Sequence, residues 1–316
     1  MKDSLSLELA TRTETLLWIE TVLLAVINAV ALCGNLLTCY AVHRNRGLRT
    51  LPNMFVVALA VSDILMSICC MPFSVATLFR GEWMFGETFC RFHGLGVFMF
   101  AMASINTMVI IAVSRYFRVV KSGKYTAVFK KQRALMYIAV VWLLAFVGSV
   151  PPFFFKNGAV KFQAGKAMCM YSFQSNLAYT VFLECVYIAT PLTVIVICYA
   201  KVFYTVSRSN RVFLQENKPQ QLRANVEEAK VTKTLAAIMV GFTCCWLPVC
   251  IVDNIDAARG RDTLSRQVYL AYGLLCYLSS TINPFIYGAT NKQFRQEYKT
   301  ILSNVIFFGW QSNDNN

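Results

Sequence analysis

An acidic residue, Asp63, lies in the middle of a long apolar stretch of this chain. An acid at mid-bilayer depth costs roughly 2.5–3.5 kcal/mol, so such a group is a functional candidate by default. Polar residues at similar depth in other apolar stretches could surround it. They are Asn35, Ser104, Ser279, Ser280 and Asn283. The group could bind a small cation such as Na⁺, or it could be a hydrogen-bonded network with water, and the residue types leave both open.

Two proline-containing motifs predict bends in apolar helices. Proline removes a backbone donor and clashes with the preceding turn, and in lipid the freed groups must find partners in protein or trapped water. Asn283, Pro284 and Tyr287 form one motif, which predicts a hinge with polar contacts. Trp246 and Pro248 form the other. A kink at Pro248 would make the inner half of its helix a lever below an outer cavity; the alternative is a large core aromatic beside a kink.

A basic residue, Arg115, stands at the inner end of the third apolar stretch. Its guanidinium could simply extend to the membrane interface, or it could be a switch that an acid holds in one state and releases in another. Glu228 is the best candidate for that acid, and the hydroxyl of Tyr199 could reach Tyr287 or Arg115 through water. The candidate switch is completed by Ser114 and Tyr116.

Two of the twelve cysteines are predicted to face an oxidising compartment. Cys90 stands at the outer start of the third stretch, and Cys169 lies in an outer loop at 155–175. A disulfide between them is favoured there and would tie the loop across the bundle; the alternative is two unpaired thiols. With only two His and no Cys-x-x-Cys spacing, a zinc site is not expected.

Long apolar segments must position all these residues. The chain is 57% hydrophobic and 15% charged, whereas a soluble domain carries about a quarter charged residues. About 20 apolar residues cross a bilayer, and seven segments, which we call spans one to seven, reach that length. Their predicted ranges are 16–42, 52–79, 87–120, 132–154, 176–207, 226–255 and 264–290. The predicted fold is an all-α membrane protein, a seven-transmembrane helix bundle with a short amphipathic C-terminal helix.

Shorter segments flank the predicted membrane domain at 16–290. A tail at 1–15 precedes it, a membrane-surface helix at 291–306 follows it, and a tail at 307–316 comes last. The surface helix is indicated by Phe294, Tyr298 and Ile301, which recur at helical spacing beside basic residues, the pattern of a helix lying on a lipid surface. Seven spans without an internal repeat argue against many inverted-repeat transporters.

The basic residues indicate how the chain sits in the membrane. Of the 30 Lys and Arg residues, 20 fall in or beside the loops after spans one, three and five and in the segment after span seven. The positive-inside rule therefore predicts an outer N-terminus and a cytoplasmic C-terminus. The net charge of +14 is then a signal for topology and anionic lipid. Nucleic acid is not an expected partner, because the charge is spread over four membrane-bounded segments.

Taken in order, these motifs resemble those of class A (rhodopsin-like) G-protein-coupled receptors over nearly the whole chain. Any one of these motifs is weak evidence for the family, but the full set, in order and in the right spans, is very specific for it. In the first half the marks are Gly34-Asn35, the Leu-Ala-Val-Ser-Asp run at 59–63, Trp83, Cys90 and Ser114-Arg115-Tyr116. In the second half they are Trp142, Pro191, Tyr199, the Cys-Trp-Leu-Pro run at 245–248, the Asn-Pro-Phe-Ile-Tyr run at 283–287, and Phe294.

The resemblance implies an agonist-operated outward movement of span six. That movement would open a cytoplasmic site for a heterotrimeric G protein, with arrestin as another possible partner; no enzyme activity and no cofactor beyond a structural Na⁺ are implied. The family usually has Asp or Glu where Ser114 stands. Without that acid, Arg115 lacks its adjacent partner, so we expect Glu228 to carry more of the inactive-state restraint, or basal activity to be raised.

The expected ligand cavity is mainly apolar and aromatic, which suits a small or lipid-like ligand. With Trp246 at its floor, its lining is predicted to be Val97, Phe98, Ala101, Tyr171, Glu184, Tyr187, Val249, Asp253, Tyr269, Gly273 and Tyr277. Glu184 and Asp253 could attract a cation together. The favoured alternative is that both are hydrated at the rim or paired with Lys166, Arg259 or Arg261.

Positions that define known ligand classes exclude some ligands for this chain. Amine receptors carry Asp where Val97 stands, and opsins carry a retinal-binding Lys where Tyr277 stands, so neither ligand is expected. Short segments at 53–61, 123–125 and 294–298 are similar to melatonin receptors.

Other positions depart from the melatonin receptors. Pro152 stands where those receptors carry a ligand-binding Asn, and Tyr171 and Phe173 replace an aromatic residue and Gln. Pro284 stands where they usually have Ala. The ligand therefore stays unidentified, with a melatonin-like indole as the alternative.

Two other protein classes stay as alternatives. A transporter or channel would need a polar path through the bundle, and Asp63 alone supports one. A membrane enzyme would need a catalytic motif or clustered carboxylates, which the sequence lacks. The loop between spans five and six is short, and several segments are similar to melatonin receptors. Both features weakly favour coupling to inhibitory G proteins.

Overall fold

A computed structural model describes residues 4–155, 159–216, 218–259 and 263–313, with side chains described up to Asn304. Almost all of these residues are helical. The first helices are α1 (Ser4–Ala10), α2 (Glu14–Arg44), α3 (Leu51–Cys69), α4 (Met71–Arg80), α5 (Gly86–Val119), α6 (Ser122–Val128) and α7 (Lys131–Ser149). They are followed by β1 (Val160–Gln163), β2 (Met168–Tyr171), α8 (Leu177–Leu183), α9 (Thr190–Gln215), α10 (Pro219–Arg259), α11 (Arg266–Thr290) and α12 (Lys292–Asn313).

Six helical segments are long and apolar enough to cross a membrane. In order, they form spans one to six: Glu14–Arg44, Leu51–Arg80, Gly86–Val119, Lys131–Phe154, Leu177–Gln215 and Pro219–Arg259. Span seven is α11, which is not among these six. It contains Ser279, Ser280 and Asn283, all of them buried. A helix packed among other helices can carry such groups, because they find partners there rather than in lipid.

At several points a proline or an irregular turn interrupts the regular backbone hydrogen bonding of the helices. Cys70 separates α3 from α4, and Pro248 and Pro284 lie inside α10 and α11. Span five has a π-helical segment, Glu184–Ala189, between α8 and α9. Such segments add a residue to a turn and often mark functional sites. Each break therefore allows a bend within an otherwise continuous span.

One end of the bundle is covered by a β-hairpin, and we call it the hairpin end. Strands β1 and β2 pair antiparallel from Val160↔Tyr171 to Gln163↔Met168. The predicted disulfide is present: Cys90 of span three is joined to Cys169 of β2. Helix α1 packs on the hairpin tip, with Leu9 buried. The predicted tail at 1–15 thus contains a helix, and span one starts at Glu14 rather than at 16.

The opposite end, which we call the Arg115 end, carries the longest helical extensions. Spans five and six continue to Gln215 and from Pro219, further than the predicted 207 and 226, so the connection between them is short. Helix α12 folds back beside span one and runs to Asn313, past the predicted boundary at 306. Tyr298 anchors it by a 2.7 Å hydrogen bond to the Thr38 hydroxyl, and burial raises the pKa of Tyr298 to about 12.

Candidate functional site

The polar residues predicted around Asp63 do converge at the middle of the bundle. Asn283 donates from Nδ2 to the Asp63 carboxylate at 2.8 Å, and the Ser104 hydroxyl lies 3.4 Å from it. The Ser280 side chain faces the same carboxylate. Asn35 joins the cluster through a 2.9 Å bond to the backbone oxygen of Ser280. Spans one, two, three and seven therefore meet at one buried acid.

Ser279 behaves differently from its predicted place in this cluster. Its hydroxyl donates to the backbone oxygen of Cys276 at 2.7 Å, within its own helix. Successive residues of an α-helix lie about 100° apart around its axis, so Ser279 and Ser280 point in different directions. The Oδ1 atom of Asn35 is buried and has no hydrogen-bond partner among the described residues. A carboxylate with amide and hydroxyl oxygens is a donor set that fits a hard cation.

At the Arg115 end, a charged contact joins spans three and six. The Arg115 guanidinium lies 3.1 Å from the Glu228 carboxylate. Arg118 approaches the second oxygen of the same carboxylate at 3.3 Å. Arg115 is buried, whereas about a third of the Glu228 side chain is exposed (34%). The acid that is missing beside Arg115 in sequence is thus supplied by another helix, through a half-solvated ion pair.

The other predicted switch residues surround this ion pair without joining it. Ser114 is buried in span three, and the ring of Tyr116 lies 5.8 Å from the Lys201 ammonium of span five. The hydroxyls of Tyr199 and Tyr287 are both buried, and neither has a hydrogen-bond partner among the described residues. A buried hydroxyl without a partner costs about 1–3 kcal/mol. This end therefore holds polar groups whose hydrogen bonds are incomplete.

The two proline motifs occupy packed positions between the ends. Trp246 stacks on Phe242 with ring centroids 5.6 Å apart, two residues before Pro248. Span one packs directly on Pro284, because a Cβ added to Gly34 would lie 2.9 Å from the Pro284 ring. Only glycine at 34 allows this approach. Pro284 of span seven is thus packed tightly against span one, whereas Trp246 lines a cavity.

That space is a cavity of about 130 Å³ between spans three, five, six and seven. Phe98 and Ala101 line one wall, Met170 and Phe173 of the hairpin segment form the roof, and Trp246 lies at the opposite side. The other lining residues are Val97, Met102, Ile105, Leu183, Tyr187, Ile188, Leu192, Phe242, Thr243, Leu247, Cys250, Asp253, Tyr272 and Cys276. The walls are mostly apolar, as in sites for small hydrophobic ligands.

Six predicted ligand residues lie outside this lining: Tyr171, Glu184, Val249, Tyr269, Gly273 and Tyr277. The hairpin tip fills the space in front of span seven. The backbone oxygen of Lys166 would lie 2.8 Å from a Cβ on Gly273, and the Tyr269 side chain packs on Gly165. Tyr277 pairs with the Ser74 hydroxyl at 2.8 Å instead. The hairpin thus displaces the cavity toward spans five and six.

Glu184 and Asp253 do not form a shared cation site. Asp253 is buried and pairs with Lys166 at 3.4 Å, while the Tyr272 hydroxyl donates to its other oxygen at 3.0 Å. The Lys166 ammonium also lies 3.9 Å from Asp256. Glu184 accepts a 2.8 Å hydrogen bond from Asn254. The favoured alternative, pairing with Lys166, is therefore what the structure shows for Asp253.

A second buried ion cluster at the hairpin end was not anticipated. Arg266 of span seven makes a two-pronged contact with Glu20 of span one, at 2.6 and 3.0 Å. Arg12, from the segment before span one, lies 3.4 Å from the same carboxylate. All three side chains are at most 5% exposed. The signal that could have revealed it is Glu20 itself, an acid inside an apolar stretch.

Comparisons with known proteins agree with this architecture. Residues 34–287 match the family described as 7 transmembrane receptor (rhodopsin family). The chain is 29% identical to melatonin receptor type 1B of Rattus norvegicus over 294 residues, which cover 90% of this chain and 79% of that protein. It is 27% identical to melatonin receptor type 1A-A of Danio rerio over 307 residues, 94% of this chain and 86% of that protein.

The family match covers most of the chain, and the geometry has the parts it requires: seven helical spans, a disulfide-tied hairpin and a polar core. The family match also excludes the hypotheses of a membrane enzyme and of a transporter or channel. The chain therefore belongs to the rhodopsin family of seven-transmembrane receptors, and it is a multi-pass plasma-membrane receptor that couples ligand binding to heterotrimeric G proteins.

Proposed function

We propose that this receptor is activated by a small, largely apolar ligand that binds in the cavity beside Trp246. The observation that carries the proposal is the lining of that cavity, in which Asp253 is the one ionisable acid among the described lining residues and is already neutralised by Lys166. A charged ligand would have to displace that buried ion pair, which costs several kcal/mol. An uncharged apolar ligand needs no such exchange.

Ligand binding would reach the opposite end through span six. Trp246 stacks on Phe242, and Pro248, two residues after Trp246, weakens the regular hydrogen bonding of the helix. A ligand that displaces the Trp246 ring would therefore change the bend of span six. An outward movement of the inner half would pull Glu228 away from Arg115 and expose a site for the G protein. Tyr199 and Tyr287, whose hydroxyls lack partners here, would then be available for new hydrogen bonds.

The orientation of the termini belongs to the same proposal. The hairpin end, with its disulfide, faces the oxidising outside, and the Arg115 end faces the cytoplasm, in agreement with the distribution of Lys and Arg. Among G proteins, the short connection between spans five and six supports the inhibitory class. Arrestin is a second partner for the same end, and a recruitment assay with the activated receptor tests it.

The Asp63 cluster would bind Na⁺ in the inactive state. The donor set of carboxylate, hydroxyl and amide oxygens fits a hard cation, and the unpartnered Asn35 Oδ1 adds a further oxygen at this depth. Titration of basal signalling with NaCl against N-methylglucamine chloride tests this: Na⁺ should lower basal activity, and Asp63→Asn should abolish the difference.

The ligand is found by a signalling screen of small-molecule and peptide libraries in cells expressing this chain, with inhibition of adenylyl cyclase as the readout. Ala101→Phe, which fills the cavity, should reduce the potency of a hit by about tenfold or more, a loss of about 1.4 kcal/mol. The matched control is Val240→Phe, on the exposed face of span six. If charged peptides activate and apolar molecules do not, the proposal is wrong.

A melatonin-like indole is the second candidate. It is supported by the names of the relatives, which are melatonin receptors at 27–29% identity. Melatonin itself is the probe for it in the same assay. Activation that Ala101→Phe abolishes would support an indole, whereas no response at saturating melatonin would leave an apolar ligand of another class.

A further inference from the structure

The cavity is closed toward the hairpin end by buried ion pairs. The Lys166 ammonium lies 3.4 Å from Asp253 and 4.0 Å from the centre of the Tyr272 ring, and its side chain is 3% exposed. Gly94 brings span three so close to the hairpin that an added Cβ would collide with Val160. Because removing either partner of such a pair is strongly unfavourable, this roof is a poor passage for a ligand.

We call the line of contact between two neighbouring spans a seam. The seam between spans four and five is also closed to a ligand. The hydroxyl of Tyr187 donates to the backbone oxygen of Leu144 at 2.8 Å. The hydroxyl of Tyr179 donates to the backbone oxygen of Gly148, and any side chain at 148 would overlap the Tyr187 ring. Two aromatic rings bonded to the neighbouring backbone therefore seal this side of the cavity.

The seam between spans five and six is different. Leu247 lines the cavity and is at the same time 58% exposed on the outer face of the bundle. Across the seam, the cavity is lined by Ile188 and Leu192, both only partly buried. The hydrogen bond from Asn254 to Glu184 crosses the same seam nearer the hairpin end, but at the level of Leu247 a single layer of aliphatic side chains separates the cavity from the lipid-facing surface. Dispersion contacts between a few aliphatic groups are individually weak, so this layer can open at small cost.

The backbone on both sides of that seam is irregular. Span five has the π-helical segment Glu184–Ala189 followed by Pro191. Span six has Pro248, the residue after Leu247. Prolines and π-turns weaken or lengthen the regular ladder of helix hydrogen bonds. The two walls of the seam are thus the parts of spans five and six that bend most easily.

We infer that the ligand reaches the cavity from the lipid bilayer, through the seam between spans five and six at Leu247, Ile188 and Leu192. This rests on the proposed function in that the cavity must be the ligand site, and it adds the route and a ligand class. The ligand is an uncharged, bilayer-partitioning molecule. A dry apolar cavity of about 150 Å³ takes up a benzene-sized molecule, so a compact aromatic group fits the 130 Å³ seen here.

The test is photolabelling with trifluoromethyl(iodophenyl)diazirine, an apolar probe that concentrates in bilayers, on the receptor in lipid nanodiscs. Light expels N₂, and the carbene inserts into nearby side chains, which mass spectrometry locates. Met102 reports on the cavity, since it lines it and is 6% exposed, and Phe285 reports on the lipid face at 63% exposure. The ratio of Met102 to Phe285 adducts after a short pulse measures access.

Leu247→Trp should lower this ratio by about tenfold, the effect of about 1.4 kcal/mol added to the barrier, whereas Leu247→Ala should raise it. Ile251→Trp is the matched control, one turn away on the lipid face of the same helix, and should leave the ratio unchanged. Because Leu247→Ala and Leu247→Trp act in opposite directions, a folding defect in one variant does not decide the outcome.

Two other results would separate the inference from the proposed function. If Lys166→Met raises Met102 labelling while both Leu247 variants leave it unchanged, the ligand enters through the hairpin end and the inferred route is wrong, although the cavity stands. If Met102 is not labelled in any variant while Phe285 is, the probe does not occupy the cavity, and the proposed apolar ligand site itself is overturned.

Discussion

The two ends of the bundle hold their charges in different ways. At the hairpin end, Glu20 with Arg266 and Asp253 with Lys166 are fully buried pairs, and a disulfide crosses the same region. At the Arg115 end, Glu228 is a third exposed, so its ion pair with Arg115 is partly screened by solvent. Pairs of the first kind are costly to break, and pairs of the second kind contribute about 0–1 kcal/mol.

The difference indicates that the two ends of the bundle have different roles. The strongly held hairpin end keeps its part of the bundle in one arrangement, while the weakly held Arg115 end can exchange partners when span six moves. The unpartnered hydroxyls of Tyr199 and Tyr287 lie at the weakly held end. A two-state element needs alternatives separated by only a few kcal/mol, and the partly exposed ion pair at the Arg115 end is of that kind.

The largest expected effect is on the hairpin end. Arg266→Met should destabilise the receptor by about 3–5 kcal/mol, because it leaves Glu20 buried without its two-pronged partner. Thermal unfolding of purified receptor in detergent measures it. Arg91→Met is the matched control, since Arg91 pairs with Glu87 on the surface. Equal stability of the two variants would mean that the buried and exposed ion pairs do not differ in the way described.

Loss of the disulfide should come next. Cys90→Ser should destabilise by about 2–4 kcal/mol, because it frees the hairpin segment in the unfolded chain, and surface expression should fall with it. Cys33→Ser, at an exposed free cysteine, serves as the control. Wild-type thermal stability and expression in Cys90→Ser would show that the hairpin holds its place without the covalent link.

A smaller effect is expected at the Arg115 end. Glu228→Gln removes the charge that holds Arg115, so basal G-protein activation should rise about two- to fivefold, which corresponds to at most about 1 kcal/mol for a partly exposed pair. Nucleotide exchange on the G protein in membranes measures it. Glu227→Gln, whose carboxylate pairs with Lys230 instead, should not change basal activity. Unchanged basal and stimulated signalling in Glu228→Gln would refute the restraint.

The smallest effect tests the unpartnered hydroxyls. Tyr199→Phe should leave the thermal stability of the unliganded receptor unchanged or raise it by less than about 1 kcal/mol, because it removes a buried hydroxyl without a partner. Tyr298→Phe should lower stability by about 1 kcal/mol, since its hydroxyl is bonded to Thr38. A clear loss of stability in Tyr199→Phe would mean that this hydroxyl is already bonded in the resting state.

Much of the fold could be predicted because lipid imposes simple rules. Apolar length located the spans within a few residues, except where spans five and six meet at the Arg115 end, because there polar helix continues past the apolar segment. The Asp63 cluster was also foreseeable, since buried polar groups seek one another. Both Ser279 and Ser280 were predicted for this cluster, and the bond of Ser279 within its own helix was not foreseeable, because spacing alone does not fix the rotation of a helix about its axis.

The composition and order of motifs by themselves determined the membrane class, the seven spans, the disulfide pair and the candidate switch. Each of these follows from local chemistry: apolar length, cysteines at one end of the bundle, or a charged residue placed in or beside an apolar segment. Only the tertiary structure decided where the cavity lies, because the disulfide holds Cys169 but does not fix the direction in which the loop extends to Lys166. Its burial against Asp253 closes the space beside span seven and leaves the cavity against spans five and six.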